Sequence, residues 1–282
     1  MHDPVVILFY KFARVPDPSS LADSQRALAL SLGLRGRLLI ASEGINGTFE
    51  GTRADVEQYT SALRRVPGFE DITFKESVGT GDAFRKLEVR VRPEVVTLGA
   101  GEFDIAKETA REITADELDA LYDSDEEFVV LDLRNEYETR VGRFENTVDP
   151  QLKNFRDLPG KLTEIGHLKQ KKVIAVCTGG IRCEKATCLL KREGFEDLYQ
   201  LKDGIHTYMQ RFPGKHFKGT LFVFDNRMTT PVSDVEEREV VGRCFSCGAP
   251  CEELYNDDTV RPSEKYICCS TCVGAHPDLR PV

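Results

Sequence analysis

Nine cysteines stand in this chain, and their spacing sorts most of them into two kinds of chemistry. The first centres on Cys177-Thr-Gly-Gly-Ile-Arg-Cys183, which follows the apolar run Val173 to Val176 and precedes a helical pattern from Glu184 to Glu193. A strand, a glycine loop and a helix start in that order make a cradle. Its backbone N–H groups and the positive end of the helix converge on Cys177, favouring a thiolate or a bound anion. A cysteine so placed is acidic and nucleophilic. Gly179 and Gly180 support this reading: glycine is wanted where φ is positive or the backbone approaches a ligand closely, and an inert core thiol creates neither need. Thr178, Gly179, Gly180 and Ile181 form the loop, and Arg182 closes it. A phosphatase loop of the C-x5-R kind is one residue longer and rings a tetrahedral phosphate. The shorter loop here suits a single sulfur atom carried on Cys177.

The second kind is metal binding. Cys244-x2-Cys247 and Cys269-x2-Cys272, with 21 residues between them, have close to the spacing of a zinc ribbon. Cys251 and Cys268 lie alongside, and Cys268 is an alternative to Cys269 as ligand. Four thiolates leave no open coordination position, so a structural zinc is expected, folding a tail with little core of its own. Two readings stand for Cys183: a buried helix thiol among Ala186 and Leu190, or a resolving or sulfur-relay partner of Cys177. Cys188 reads as core.

The elements that must position these residues come next. At 282 residues with 40% hydrophobic content the chain is globular and long enough for about two domains. No apolar run reaches membrane-spanning length, and Met1-His-Asp-Pro lacks the basic and apolar regions of a signal peptide. A cytoplasmic location and reduced cysteines are therefore expected, with no membrane partner. The net charge is −9, yet the stretch from Glu102 to Glu138 alone carries −11 and the remainder +2. That distribution is compatible with a polyanion held on a local basic face.

Residues 1–97 read as a ferredoxin-like α+β domain of order βαββαβ. Its pieces are a strand over 5–11, a helix over 20–34 with Leu21, Ser24, Leu28 and Leu32 in one stripe, and a strand over 36–41. A turn-rich corner at Ser42-Glu-Gly-Ile-Asn-Gly-Thr48 follows, then a helix opened by Thr52 and Asp55 and a strand over 72–76. From Lys86 to Arg92, Leu87, Val89 and Val91 alternate with Lys86, Glu88, Arg90 and Arg92; with Arg85 this makes a small basic face, either solvated or in contact with phosphate. Residues 98–112 read as an acidic linker. Residues 113–227 form an α/β domain with a parallel sheet: a capping box at Thr114 to Glu117 opens a helix, Phe128 to Leu133 and Lys172 to Val176 are buried strands, and one last strand signal runs from Phe217 to Asp225. The reactive loop then lies at the sheet's carboxyl edge. Residues 228–282 are a cysteine-rich, zinc-binding tail.

Asp132-Leu-Arg-Asn-Glu-Tyr-Glu138, Cys177 to Arg182 and Leu201-Lys-Asp-Gly-Ile-His206 resemble the successive signatures of a rhodanese domain. The resemblance implies that Cys177 carries a persulfide and that Asp132 and Arg134 steady the loop. Asp203-Gly204 departs from the family's frequent glycine pair, and Tyr208 stands where tryptophan is common. Over nearly the whole chain, Ser42 to Thr48, Cys177 to Ala186 and the cysteine-rich tail together resemble the rhodanese-containing tRNA uridine hydroxylases. That likeness implies conversion of the wobble uridine of tRNA to 5-hydroxyuridine with molecular oxygen as co-substrate, with Cys177, Arg182 and Cys183 on motif positions. Arg85, Lys86, Arg90, Arg92, Lys215 and Lys218 are the candidates for contact with tRNA phosphates. The residues alone stop at persulfide chemistry. No iron-binding triad is visible among the five histidines and no G-x-G-x-x-G occurs, so no organic cofactor is expected. The competing readings are a sulfurtransferase moving sulfur from Cys177 to an acceptor and an RNA- or protein-binding adaptor. A sulfur-donor protein or a small-molecule reductant is a further expected partner.

Overall fold

The computed structural model describes residues 4–230, 239–260 and 264–281; the remainder, in the first and last expected domains, lies outside the described residues. The chain forms two units, residues 1–97 with 225–227, and 98–224 with 228–282.

In the first unit β1 (Pro4–Phe12), α1 (Pro18–Ser31), β2 (Arg35–Ala41), β3 (Gly44–Thr52), α2 (Arg53–Leu63), β4 (Phe74–Val78) and β5 (Leu87–Val91) follow one another. The sheet order is β4-β1-β3-β2-β5. β3 runs antiparallel between β1 and β2, and β5 adds parallel to β2. This is the expected ferredoxin-like sandwich with one more edge strand. Alternation in β1 sends Val5, Ile7 and Phe9 into a core with Leu38, Ile40, Phe49, Val56 and Tyr59. In α1 the buried line is Ala22, Gln25 and Ala29, while Leu21 and Leu28 are half-buried at its margin and Ser24 is exposed. The expected leucine stripe is thus displaced around the helix, because its small residues face the sheet. Asp17 accepts from the N–H groups of Ser19 and Ser20, with Pro18 at the first helical position, which starts α1 two residues early.

The corner expected over 42–48 is a turn only at Ser42-Glu43, since Ala41 already pairs with Gly44. The glycines that suggested a turn serve close packing within a strand. A Cβ on Gly47 would come within 2.5 Å of the Phe9 ring.

The second unit contains α3 (Ile105–Glu108), β6 (Arg111–Ile113), α4 (Ala115–Tyr122), β7 (Phe128–Asp132), α5 (Glu136–Thr139), β8 (Gly142–Phe144), β9 (Thr147–Val148), α6 (Leu158–Ile165), β10 (Lys172–Val176), α7 (Ile181–Arg192), β11 (Leu198–Leu201), α8 (Gly204–Arg211), β12 (Phe217–Gly219), β13 (Leu221–Phe222) and β14 (Thr229–Thr230). A five-stranded parallel sheet has the order β6-β11-β10-β7-β9, so β10 is central and its carboxyl end delivers Cys177. The capping box forms as expected: the Thr114 hydroxyl accepts from Glu117 N and the Glu117 carboxylate from Thr114 N. The last strand signal is broken into β12 and β13 around Gly219, whose φ is +84°.

Residues 98–112 are not a spacer. They hold α3 and lead into β6, the edge strand paired with β11. The stretch is tied to α7: Arg192 bonds the Glu108 carboxylate at 2.7 Å and the Glu102 carbonyl at 3.2 Å, and Ala110 N donates to Thr187, while Glu112 pairs with Lys202. Local charge resembled a linker because Arg192 and Lys202, the partners of Glu108 and Glu112, lie more than eighty residues away in sequence.

The tail forms β15 (Leu254–Asp257), β16 (Glu264–Ile267), α9 (Ser270–Val273) and β17 (Leu279–Pro281), a three-stranded sheet with a short helix. Its core residues Cys251, Leu254, Ile267 and Leu279 cluster with Val141 and Phe222, and Tyr137 packs on them. The tail therefore completes its small core with side chains of the preceding α/β layer.

Candidate active site

Cys177 leaves the end of β10 and Gly180, at φ +101°, turns the chain into α7, which begins three residues before the expected helical pattern. Gly180 N donates to Cys177 Sγ at 3.1 Å. Burial drives the Cys177 pKa up, but the Cys183 thiol hydrogen bond, the Arg182 charge and the backbone N–H groups of Cys183 and Arg182 outweigh it. The result is a thiol pulled down from 9.0 to about 6. Cys183 moves the other way: burial and the neighbouring thiolate push its pKa well above 9.0. At neutral pH one sulfur is thereby an anion and the other its protonated donor.

A second helix start holds the loop from beneath. Ile205 N donates to the Cys177 carbonyl at 3.0 Å and His206 N to the Thr178 carbonyl at 3.1 Å. The backbones come so close that a Cβ on Gly204 would lie 2.7 Å from Cys177 O, Gly180 N and Thr178 O. Asp203, where the rhodanese pattern favours glycine, adopts φ +60°, a conformation Asp tolerates better than most residues.

Arg182 does not turn its fork toward the sulfur. Its guanidinium bonds both carboxylate oxygens of Glu138, at 2.6 and 2.8 Å, and the Thr178 hydroxyl at 3.1 Å. Glu138 is fully buried and also accepts from Thr178 Oγ1 and Asn135 N. Burial pushes its pKa up, yet the charge and hydrogen bonds of Arg182, the charge of Arg134 and the Asn135 N–H hold it below the usual carboxylate value. Glu138 is the residue the sequence reading passed over, having assigned roles only to Asp132 and Arg134 in the same segment. The signal was present: Asn135 and Glu138 have capping-box spacing, and the half of that box in which the Glu138 carboxylate accepts from Asn135 N forms at the start of α5, while Glu138 N donates to the Asn135 backbone carbonyl.

Asp132 and Arg134 are fully buried and paired to each other, Nη2 to Oδ2 at 2.6 Å, while Arg134 Nη2 also reaches Gly142 O at 2.7 Å. Leu133 N donates to Val176 O, so this pair sits beside the root of the loop. Cys188, on the far side of α7, bonds Glu184 O and is pushed up to about 12, chiefly by burial. Arg85, Lys86, Arg90 and Arg92 are exposed in the first unit, where Glu88 pairs with Lys86 at 2.7 Å and Arg90 at 2.9 Å. In the second unit Lys215 pairs with Asp119 and Asp123, and Lys218 with Glu145.

In the tail, the Sγ atoms of Cys244, Cys247, Cys269 and Cys272 all lie within 4.8 Å of one another. Cys247 and Cys269 are 3.8 Å apart, and a tetrahedral ion with metal–sulfur bonds of about 2.3 Å separates its sulfurs by about 3.8 Å. The donor set fits one metal ion with four thiolate ligands. Cys268, the alternative to Cys269, is outside that group and fully buried, as Cys251 is largely buried in the tail core.

The parallel sheet, the cysteine loop at its carboxyl edge and the ferredoxin-like unit define a rhodanese-domain protein with an added α+β domain. Family comparisons agree: a UPF0176 acylphosphatase like domain matches residues 4–95, a rhodanese-like domain 114–211 and a rhodanase C-terminal domain 218–278. A tRNA uridine(34) hydroxylase from Cytophaga hutchinsonii is 39% identical over 100% of this chain and 93% of its own length. Its counterpart from Bacillus licheniformis is 39% identical over 93% of this chain and 82% of its own length. A rhodanese-like domain protein of known structure from Staphylococcus aureus is 26% identical, covering 35% of this chain and 90% of that one at a TM-score of 0.30. The chain belongs to the tRNA uridine(34) hydroxylase family.

Proposed function

We propose that this protein is a tRNA-modifying oxygenase that hydroxylates the wobble uridine to 5-hydroxyuridine, with Cys177 as the catalytic residue. The observation that carries the reading is the Cys177 thiol, pulled down to about 6 at the head of α7 in a chain whose relatives bear that name along nearly their full length. The net reaction adds one oxygen atom of O2 at C5 and releases the other as water, which takes two electrons from a reductant such as a small-molecule thiol. Addition of the Cys177 thiolate, or of a persulfide on it, to C6 of the uracil ring makes C5 electron-rich. That is the position at which oxygen must be added. Cys183 supplies a proton donor at the sulfur, and Arg182, positioned by Glu138, offsets its charge.

Zinc is the metal proposed for the four tail cysteines, where it would crosslink the two knuckles and hold the small tail core. Arg85, Lys86, Arg90, Arg92, Lys215 and Lys218 are proposed to contact tRNA phosphates, and the cytoplasm is the compartment that offers both tRNA and reduced thiols. The proposed domains are 1–97, 113–227 and 228–282. A plain sulfurtransferase would instead pass sulfur from Cys177 to a small acceptor without touching RNA.

Nucleoside mass spectrometry of tRNA from cells lacking the gene tests the proposal. Complementation with the wild-type chain should restore 5-hydroxyuridine, Cys177→Ala should restore none, and neutralising the six basic residues together should restore it only in part. Full hydroxylation by Cys177→Ala would overturn the role of the loop. Unchanged 5-hydroxyuridine on loss and complementation would leave the sulfurtransferase reading.

A further inference from the structure

We infer that Phe224 is the platform on which the substrate base stacks before it reaches the thiol, an inference that rests on the RNA-modifying reading above. Cys177 is fully buried, so a base arriving from solvent meets something else first. Arg182 is its charged neighbour in the loop, and the Phe224 ring lies over that guanidinium, 5.7 Å from Cζ to the ring centroid. With Arg182 itself nearly covered, between Glu138 on one side and Phe224 on another, the surface offered at this point is the phenyl ring.

The ring is uncovered where its neighbours are not. Phe222 packs edge-on against it at 5.1 Å and 82°, and Tyr137 against Phe222 at 5.0 Å and 69°. Phe222 is 1% exposed and serves the tail core, whereas Phe224 is 48% exposed. Among the described residues the other exposed large aromatic is Phe245, which packs on Tyr266 and His276 beside the metal cluster. A phenyl ring braced by a cation and by a perpendicular ring is a rigid flat surface whose orientation is set before anything binds. Every base has a π-face that such a surface accepts. An unpaired pyrimidine at the tip of an anticodon loop is the fragment of tRNA free to turn out onto it.

The chain contains no tryptophan, so Phe224→Trp installs a single reporter at the proposed contact. An anticodon stem-loop with uridine at the wobble position should quench its fluorescence, and the same RNA made abasic at that position should not, although both bind through phosphates in a filter assay. Phe224→Ala should weaken binding of the uridine stem-loop roughly five- to 150-fold, the range for loss of one stacked base, and Phe224→Tyr should restore it. The ultraviolet titration of the Cys177 thiolate should stay in place in all three variants, which a merely structural role for the ring would not predict. Equal quenching by the abasic RNA, or binding by Phe224→Ala within two-fold of the wild type, would overturn the platform. Failure of the wild-type chain to bind either RNA would instead strike at the RNA-modifying reading, and the platform would fall with it.

Discussion

Both cysteine sites gather thiols at a loop that opens a helix, and they differ in what stabilises the negative charge. At Cys177 the chain provides everything itself: the backbone N–H groups at the start of α7, the Cys183 thiol and the Arg182 charge. One sulfur ionises, its neighbour stays protonated, and the anion is left chemically free. In the tail four sulfurs converge within 4.8 Å of one another, a donor set that suits a cation from outside. One geometry yields an acidic thiol and the other a set of four thiols that could hold a metal ion. A helix start by itself does not decide between them; the number of thiols and the presence of a fixed cation do.

Metal removal should separate the two most sharply. If the proposed zinc is held there, stripping it with a chelator, or replacing Cys247 and Cys272 together by serine, should unfold the tail core, since thiolate zinc sites supply on the order of 10 kcal/mol to small domains. Hydrogen exchange across 239–281 would report the loss. The Cys177 titration should survive, and if it moved with the metal the two sites would be one coupled system.

A smaller effect is expected at the loop. Gly204→Ala places a Cβ against three backbone atoms of the cradle at a positive φ, and should cost about 2–4 kcal/mol in denaturant unfolding. Metal content should be unchanged. Loss of zinc from this variant would show that the loop and the tail fold as one.

The pH dependence sharpens the electrostatic half of the contrast. Thiolate absorbance lost in Cys177→Ser should titrate near pH 6, and Arg182→Met should move that midpoint upward, toward the ordinary 9.0. Because the folded value is the lower one, the contribution to stability is complete above pH 9 and is lost as pH falls toward 6. Its slope is at most about 1.4 kcal/mol per pH unit. A midpoint unmoved by Arg182→Met would remove the guanidinium from the account and leave the backbone and Cys183 to explain the acidity.

Much of this was legible in one dimension because the signals are local. Buried strands read as continuous apolar runs, Thr114 and Glu117 announce α4 three residues apart, and each CxxC pair is a short-range pattern. The glycine loop at Cys177 belongs to the same class. What misled were residues whose purpose lies across the fold: Gly47, whose absent side chain makes room for Phe9, and Glu108 and Glu112, whose partners are Arg192 and Lys202.

The sequence by itself determined the glycine loop that follows Cys177, the order of the family domains and the paired thiols of the tail, since each depends on residue type and spacing along the chain. Only the tertiary structure decided that Arg182 is held by Glu138 rather than turned onto the sulfur, that Cys269 and not Cys268 joins the four thiols that could hold a metal ion, and that the tail borrows Val141 and Phe222 for its core. Those outcomes turn on which side chains meet after the sheet has formed. Packing sets them, and no local pattern encodes a neighbour 44 residues away.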